Sequence, residues 1–572
     1  MSESATILVG AEGALCTNPL MGVLKFFGIE PQIATPLQFL TDDLTGEPHL
    51  IKTRVLCSCR TLCEVLNRLD QFPKHAELWR RNVHSVFVYA DEDSNAFREL
   101  KERIVDHGYT PVIQFDHRHN QWIISDKCPD FCGAMGGLRI TAKQRFGQVA
   151  EDALETDAHT TAFSKGVYET VPIFLLASTT VVDIDAPLNE RNFDIREHLL
   201  SAAPIVMFVK WAFGRMAWHT EDTNACLVID DPLLRPTYGF VNYRSLLALM
   251  ERYNFTTNVA FIPWNWRRCD RSVVDLFRSH SERYSVSIHG CDHTGGEFGI
   301  KNMGRLAWKS HQAVDRMMRM EAEVGLPHDR IMVFPQGVFS GPSMAALKQA
   351  RYLAAVNTEV MNHDVPQFPI TISDVWDIAV MRYECFPLFT RRYPAQGIEN
   401  FAFDILLGKP CIVVSHHDIC RDDQAQLIAI VQQLNALNCR LAWRGLGEVV
   451  RRSCRKRELS AGRVEVEMYG SELQLNNTFG QHTEFRITRR ETDKTVIREV
   501  HVDGHPIPWE FADEHVRFAT ELGAGQSASI RIVVSEYGVE ATHQDNMAYR
   551  LKVMVRRYLS EMRDNYVAVW TA

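Results

Sequence analysis

The chain has 572 residues, of which 46% are apolar and 23% are charged, and its formal net charge is −9 at pH 7. This composition is typical of a folded protein with sizeable cores, and the length predicts three or four domains. The negative net charge argues against a surface for nucleic acid or another anionic polymer, so we expect no nucleic-acid partner.

The sequence predicts neither a secretion signal nor a transmembrane segment. Residues 1–5 are not a basic region followed by a long apolar stretch. The most apolar segment, 204–211, is interrupted by Lys210 and then by Arg215. It therefore falls short of the ~18 apolar residues that a membrane span needs, and it predicts a buried helix. We expect a cytoplasmic protein; its oligomeric state does not follow from the sequence.

Residues 1–195 alternate between strand and helix patterns. Residues 5–10 and 85–90 have the apolar character of strands, and 95–105 has apolar residues at helical spacing. Strands separated by helices predict a parallel, doubly wound sheet. The segment 10–13 lacks the third glycine of a dinucleotide-binding fingerprint. We therefore predict an accessory α/β domain without chemistry of its own.

The central region, 196–457, contains two polar motifs that follow apolar strands. Asp230 and Asp231 follow one strand, and His289 and His293 follow another. Because α/β folds place their sites at the carboxyl ends of strands, these motifs are expected to meet. The spacing of four residues would put both imidazoles on one face of a helical turn. Carboxylate and imidazole ligands suit zinc and its first-row neighbours, so we predict a catalytic metal site.

A third polar motif makes chance an unlikely explanation for the first two. The apolar run 410–414 leads to His416 and His417, again at a strand end. Between these motifs, strand and helix patterns alternate as in βα units. The central region is therefore predicted to be a (β/α) barrel, incomplete or distorted, with its site at the strand carboxyl ends.

The order of these motifs resembles that of the NodB-homology polysaccharide deacetylases, which include carbohydrate esterase family 4. The matching motifs are Asp230-Asp231, His289 with His293, Phe334-Pro335-Gln336-Gly337 and Ser415-His416-His417-Asp418. The resemblance covers roughly residues 200–455. It departs from the family pattern at three positions, because Pro232 and Gly290 replace a Gly and a Ser or Thr, and Val333 replaces the groove-motif Arg.

The enzyme hypothesis assigns a role to each residue of the first two motifs. Asp231, His289 and His293 are expected to hold one divalent metal, with zinc favoured and cobalt, nickel or manganese as alternatives. Asp230 cannot easily share that ion from the adjacent position. It is therefore free to act as the general base toward the attacking water.

The remaining site residues are assigned to the leaving group and the substrate. His416 or His417 would protonate the departing amine; strand alternation lets only one of them face the barrel interior, and His416 is favoured. The resemblance implies that Pro335 lines the substrate groove. Trp264 and Trp266 are candidates to stack on a sugar ring, with core packing an equal alternative.

Three hypotheses for the function follow. The favoured one is a metal-dependent deacetylase that hydrolyses the N-acetyl amide of an amino sugar in a saccharide, a sugar nucleotide or a lipid-linked glycan. The second is a metal-dependent amidohydrolase acting on a small amide that is not a sugar. The third is a catalytically inactive protein that binds carbohydrate or serves as a scaffold.

The C-terminal third changes character. The basic run 451–457 is predicted to be a solvated linker, and residues 458–540 have the period-two pattern of a β-sandwich-like domain. Within 541–572, the segment 546–562 is predicted to be one amphipathic helix. Its inward-facing residues are expected to be Met547, Leu551, Met554, Leu559 and Met562. Neither terminal region is expected to supply catalytic residues.

Overall fold

The computed structural model of the chain describes residues 5–10, 16–43, 52–91, 94–105, 109–141, 154–155, 158–361, 369–535 and 546–567. Within these residues the protein is a mixed α/β fold. It contains an N-terminal sheet of ten strands, a central sheet of eight, and two C-terminal sheets of five and four strands. The domain boundaries at 195, 457 and 540 remain predictions.

The N-terminal sheet is parallel in one half and antiparallel in the other. Its strands are Ala5–Leu8, Pro31–Ala34, Thr53–Ser58, Val83–Tyr89, Thr110–Asp116, Gln121–Ile124, Arg139–Thr141, Leu154–Glu155, His159–Tyr168 and Val171–Leu176. Its main helices are Thr17–Phe26, Cys59–Gln71, Pro73–Asn82 and Ser94–Val105. The predicted α/β character is present, but the prediction of a wholly parallel, doubly wound sheet is wrong.

The change of direction has a local cause. Glu169 and Thr170 have φ values of 47° and 72°, so they form a tight turn between the last two strands of this sheet. Those two strands therefore pair as an antiparallel hairpin. The first of them also pairs antiparallel with Thr110–Asp116, so the antiparallel half of the sheet continues from this hairpin.

A long apolar helix, Ile195–Phe213, connects the N-terminal sheet to the central region. The side chain of Asp194 caps it by accepting a hydrogen bond from the backbone N–H of Arg196. By length and composition it could cross a membrane, but 72% of its most apolar window is buried inside the protein. The burial agrees with the predicted core helix.

The central sheet is parallel throughout. Its strands are β1 Thr223–Asp230, β2 Thr257–Phe261, β3 Tyr284–His289, β4 Ile331–Val333, β5 Ala354–Asn357, β6 Leu388–Thr390, β7 Cys411–Ser415 and β8 Leu441–Trp443. They are ordered β6-β5-β4-β3-β2-β1-β7, and β8 also pairs with β1. The accompanying helices include Tyr243–Tyr253, Arg271–Ser279, Met303–Val324, Gly341–Gln349, Ile372–Trp376, Ile398–Leu407, Ala425–Asn435 and Leu446–Arg452.

The central sheet curls until its two edges meet at one point. Arg392, just past β6, forms a parallel bridge with Val413 of β7. The backbone N–H of Arg392 donates to the carbonyl of Ile412 at 3.0 Å, and the N–H of Val414 donates back to the Arg392 carbonyl at 2.9 Å. This curled parallel sheet is compatible with the predicted distorted barrel. Its carboxyl ends gather at one rim.

The two C-terminal sheets share one hydrophobic cluster. The five-stranded sheet contains Cys454–Ser460, Arg463–Met468, Thr483–Arg490, Glu510–Ala512 and His515–Leu522. The four-stranded sheet contains Glu472–Asn476, Ile497–Val502, His505–Ile507 and Ser527–Val534. Asp503 and Gly504 form the predicted hairpin turn, with φ values of 50° and 82°. One pair of strands, Arg463–Met468 with Thr483–Arg490, is parallel.

The basic run 451–457 is not a solvated linker. It completes the helix Leu446–Arg452 and begins the strand Cys454–Ser460. Arg455 is buried, and its guanidinium pairs with Glu467 at 2.5 Å and with Asp377 at 3.5 Å. The prediction failed because carboxylates pair with this run both from nearby, as Glu448 does with Arg452, and from distant parts of the chain, as Asp377 does with Arg455.

The C-terminal helix, Met547–Met562, has the opposite orientation to the one predicted. Its apolar residues are exposed, Met547 by 84% and Leu559 by 61%, and so are Leu551, Met554 and Met562. The buried side chains are Val553 and Arg557. The surface beneath the helix is polar and charged, so the polar stripe of the helix packs against it.

The buried position of Arg455 yields a test of this fold. Arg455→Ala leaves Asp377 and Glu467 without their shared cation and should lower the free energy of unfolding by about 3–5 kcal/mol. Arg452→Ala is the matched control; its pair with Glu448 is partly exposed and should contribute under about 1 kcal/mol. Urea unfolding of the full chain measures both. Equal, small effects would contradict the buried placement of Arg455.

Candidate functional site

Asp230 and Asp231 lie at the carboxyl end of β1 but point in different directions. Asp230 is the last residue of the strand and is 3% exposed. Asp231 follows with φ +80°, an uncommon backbone conformation for a residue with a side chain. This turn directs the two carboxylates to different partners, which separates their possible roles.

Arg391 is the partner of Asp230. Its Nη1 and Nη2 donate to Oδ1 and Oδ2 of Asp230, each at 2.7 Å, and Arg391 is also 3% exposed. Burial by itself raises the pKa of the Asp230 carboxyl, but Arg391 and nearby imidazoles lower it below its ordinary value. Asp230 is therefore a fixed, ionised carboxylate.

His289 and His293 approach Asp231 from the end of β3. The Nε2 atoms of His289 and His293 lie 3.4 Å and 3.1 Å from Oδ1 of Asp231. Nδ1 of His289 lies 3.0 Å from the carbonyl oxygen of Val333, which favours the tautomer with its proton on Nδ1 and a free Nε2. Burial opposes protonation of His289, but the carboxylates of Asp230 and Asp231 outweigh it and raise its pKa.

The two imidazoles do not share a helical turn, as the spacing had predicted. Gly290 and His293 have φ values of +63° and +55°, so the connecting loop is irregular. The carboxylate of Glu297 shapes this loop, because it accepts from the backbone N–H groups of Cys291 at 2.8 Å and His293 at 2.9 Å. Lys309 in turn donates to Glu297 at 3.1 Å. A loop folded around the buried carboxylate of Glu297, rather than a helical turn, therefore brings the two imidazoles together.

The donor atoms of Asp231, His289 and His293 fit a shared cation. They all lie within 4.8 Å of one another, and among the described residues this is the cluster of three or more such side chains that could hold a metal. Oδ1 of Asp231 is buried and faces both imidazoles, yet it has no hydrogen-bond partner among the described residues. Burial raises the pKa of Asp231, but the two imidazoles hold it well below its ordinary value. An anion and two neutral nitrogen donors are a common zinc ligand set.

His416 and His417 follow β7 and have different surroundings. The ring of His416 stacks on Tyr393 with centroids 6.4 Å apart, and its imidazole is one of the charges that lower the pKa of Asp230. His417 stacks on Phe240 at 5.7 Å, and its Nε2 lies 3.7 Å from Asp564 of the C-terminal region. The choice between them as proton donor stays a prediction, with His416 on the side of Asp230.

Two of the three predicted substrate-binding residues, Trp264 and Pro335, contact the loop that follows β3. Trp264 lies beneath the guanidinium of Arg316 at 5.0 Å, and its backbone N–H donates to the carbonyl of Cys291. Trp266 packs against the main core. Pro335 is buried and packs closely against Gly290: a Cβ atom added to Gly290 would lie 2.4 Å from the Pro335 ring. These contacts give all three a packing role, and their contact with substrate remains a prediction.

Sequence reasoning missed two contributors to the site. Arg391 follows strand β6 directly, and a charged residue after an apolar strand is the same signal that identified the aspartates. The C-terminal region was expected to supply no catalytic residues, and that stays a prediction, but its contact with the site was not foreseen: Nη2 of Arg557 lies 3.2 Å from Nδ1 of His293. Tyr549 donates to Asp292 at 2.9 Å beside the same loop. No local pattern marks these contacts.

No model of a protein family matches the chain, and no curated protein matches it. The fold is similar to the solved structure of Agd3, a novel carbohydrate deacetylase, with 8% identity and a TM-score of 0.43 over 93% of this chain and 98% of that chain. A family 4 carbohydrate esterase from Streptomyces lividans in complex with acetate matches with 13% identity and a TM-score of 0.25, over 39% of this chain and 91% of that chain. A Streptococcus mutans CE4 esterase matches with 11% identity and a TM-score of 0.26, over 39% of this chain and 87% of that chain. These TM-scores are below 0.5, so the function must be inferred from the side chains of the site itself.

Proposed function

We propose that the protein is a metal-dependent deacetylase that hydrolyses the N-acetyl amide of an amino sugar, in a saccharide, a sugar nucleotide or a lipid-linked glycan. The observation that carries this proposal is that the two consecutive carboxylates at the end of β1 have different partners. Asp231 shares a possible cation site with His289 and His293, while Asp230 beside it is held separately by Arg391. Metal-assisted amide hydrolysis uses a Lewis acid together with a base, and this arrangement offers ligands for the first and a candidate for the second.

Asp231, His289 and His293 would hold one divalent ion, with zinc favoured by the donor set and cobalt, nickel or manganese as alternatives. Such an ion would polarise the amide carbonyl and lower the pKa of a bound water toward ~7. Three protein ligands leave positions open for water and substrate, as catalytic sites require.

Asp230 would take the proton of the attacking water. Each of its oxygens accepts one hydrogen bond from Arg391 and keeps a second lone pair, so the carboxylate can still accept a proton. Because Arg391 grips both oxygens, the direction of the free lone pairs is fixed before substrate arrives. The departing amine would receive its proton from His416 or His417, since an unprotonated amine leaves poorly.

The first test is the metal. We expect the purified chain to bind close to one first-row divalent ion, and His293→Gln or Asp231→Asn to weaken that binding, with partial rescue by added metal. His311→Gln, outside the cluster, is the control. The pKa of His289 is raised above the ~6.5 of an ordinary imidazole, so protons already compete with the metal for this side chain above that pH. Metal occupancy should therefore fall as the pH drops through ~6.5.

Elemental analysis across a pH series measures that occupancy. A wild-type chain that stays metal-free after incubation with zinc or cobalt would contradict the proposed function and favour the inactive binding or scaffold hypothesis.

The second test is catalysis. The metal-loaded wild type should release free amine from a panel of N-acetylated sugars. Asp230→Asn should keep its metal but lose about 10²–10⁴-fold in rate, because the amide cannot accept the proton. Asp418→Asn is the matched control, because it neutralises an exposed carboxylate that follows His417 in the sequence, and it should stay active.

The outcomes separate the hypotheses. Amine release only from small amides that are not sugars would favour the amidohydrolase alternative. If Asp230→Asn loses the ion while Asp231→Asn keeps it, the roles of the two carboxylates are reversed.

The third test concerns Arg391. Arg391→Met leaves Asp230 buried without a cation, so we expect a loss of about 3–5 kcal/mol in unfolding free energy and a loss of amine release. Arg391→Lys restores the charge but not the two-point grip, and should recover stability more than rate. Arg382→Met, which breaks a more exposed pair with Asp374, is the control. Full activity of Arg391→Met would show that Asp230 is not oriented by this residue.

A further inference from the structure

The C-terminal segment, residues 546–567, is attached to the rim of the barrel by polar contacts. Tyr238 donates a hydrogen bond to Asp564 at 2.8 Å, and the backbone N–H of Gly239 donates to Asn565 at 2.7 Å. Glu561 pairs with Arg235 at 2.6 Å and with Arg268. These contacts hold the buried face of the helix over the loop that carries His293.

Arg557 is the charged residue at the centre of this buried face. It is only 7% exposed, and its Nη2 lies 3.2 Å from Nδ1 and 3.3 Å from the carbonyl oxygen of His293. Its Nε is buried and has no hydrogen-bond partner. Within the part of the chain that the structure describes, no carboxylate oxygen lies within 4.0 Å of its guanidinium.

A buried arginine without an anion is unusual, because a charge removed from water needs a partner of opposite sign. The buried arginines of the central region, Arg391, Arg392 and Arg455, each contact a carboxylate. Arg392 bonds Asp404 at 2.6 Å and 3.0 Å, and despite its burial its pKa is raised. Among the described residues, Arg557 instead contacts only the imidazole and carbonyl of His293, neither of which carries a negative charge. The protein therefore buries a cation here with no carboxylate in direct contact.

The carboxylates of the site and of the neighbouring C-terminal segment already pair with other cations. Asp230 is paired with Arg391, Glu297 with Lys309, and Asp564 with Arg563. The Oδ1 atom of Asp231 faces His289 and His293, and its carboxylate lies more than 4.0 Å from the Arg557 guanidinium. An oxyanion beside Arg557 would therefore supply the direct negative partner that these carboxylates do not.

We propose that Arg557 binds an oxyanion of the substrate, adjacent to the acetamido group. The proposal rests on the proposed function and narrows its substrate class from amino sugars in general to those that carry a carboxylate or a phosphate. The planar guanidinium suits both groups, because it presents parallel N–H donors to two oxygens. The carboxylate would come from an aminouronic acid, and the phosphate from a sugar phosphate or nucleotide.

The test compares anionic and neutral ligands on the full-length, metal-free chain by isothermal titration calorimetry. The ligands are N-acetylglucosamine 1-phosphate, an N-acetylated aminouronic acid and N-acetylglucosamine. We expect the wild type to bind at least one anionic ligand about 10- to 100-fold more tightly than the neutral sugar. Arg557→Gln should abolish that preference, whereas Arg550→Gln, exposed on the same helix, should retain it.

The ligand that shows the preference identifies its source, carboxylate or phosphate. Arg557→Lys keeps the charge without the two-point geometry and should retain part of the preference. It also covers the case in which Arg557→Gln does not fold. Equal binding of all three ligands by the wild type, or an unchanged preference in Arg557→Gln, would overturn the proposal.

The same panel, repeated as amine release by the metal-loaded chain, separates this proposal from the proposed function. Amine release without a preference for charge would refute the anion site alone. Anion binding that depends on Arg557, with no amine release from any sugar, would refute the deacetylase function and leave the anion site standing.

Discussion

The buried ion pair between Asp230 and Arg391 is the interaction on which the candidate site depends. Asp230, which is buried, and Asp231, which is partly buried, are consecutive, and adjacent carboxylates disfavour each other's ionised form unless nearby positive charges balance them. Arg391 balances the first, and the imidazoles of His289 and His293 face the second. This assignment of partners would let one carboxylate serve as a ligand while the other acts as a base, as the proposed function requires.

The same stretch of chain also joins the two edges of the curled central sheet. Arg392, next to Arg391, bridges to Val413 through its backbone and bonds Asp404 through its side chain. Two consecutive arginines after β6 therefore join the edges of the curled sheet and complete the site at its rim. Any change that opens the edge of the sheet would also displace the guanidinium that holds Asp230, so the fold and the proposed chemistry are coupled at this point.

The C-terminal segment shows how a charged site can reverse the usual orientation of an amphipathic helix. Burying its apolar stripe would have favoured Leu551 and Leu559 facing inward. The rim instead presents polar groups such as Asp292 and Lys309, whose burial is tolerated only when they are hydrogen bonded. Tyr549 contacts both of these groups, so the polar face packs inward. The surroundings of the site are thereby built from the central region and the C-terminal segment together.

By itself, the sequence determined what depends on short-range pattern. Six of the eight strands of the central sheet, the carboxylates at the end of β1 and the histidines at the end of β3 were predicted, because strand periodicity and strand ends are local properties; the short strands β6 and β8 were not predicted. Only the tertiary structure decided the rest. Arg391 lies 161 residues from Asp230 and Arg557 lies 264 residues from His293, so their proximity depends on how the barrel closes and where the last helix packs. The loop around Glu297 and the hairpin at Glu169 escaped prediction for a related reason: each depends on backbone turns with positive φ at or beside non-glycine residues, which composition does not reveal.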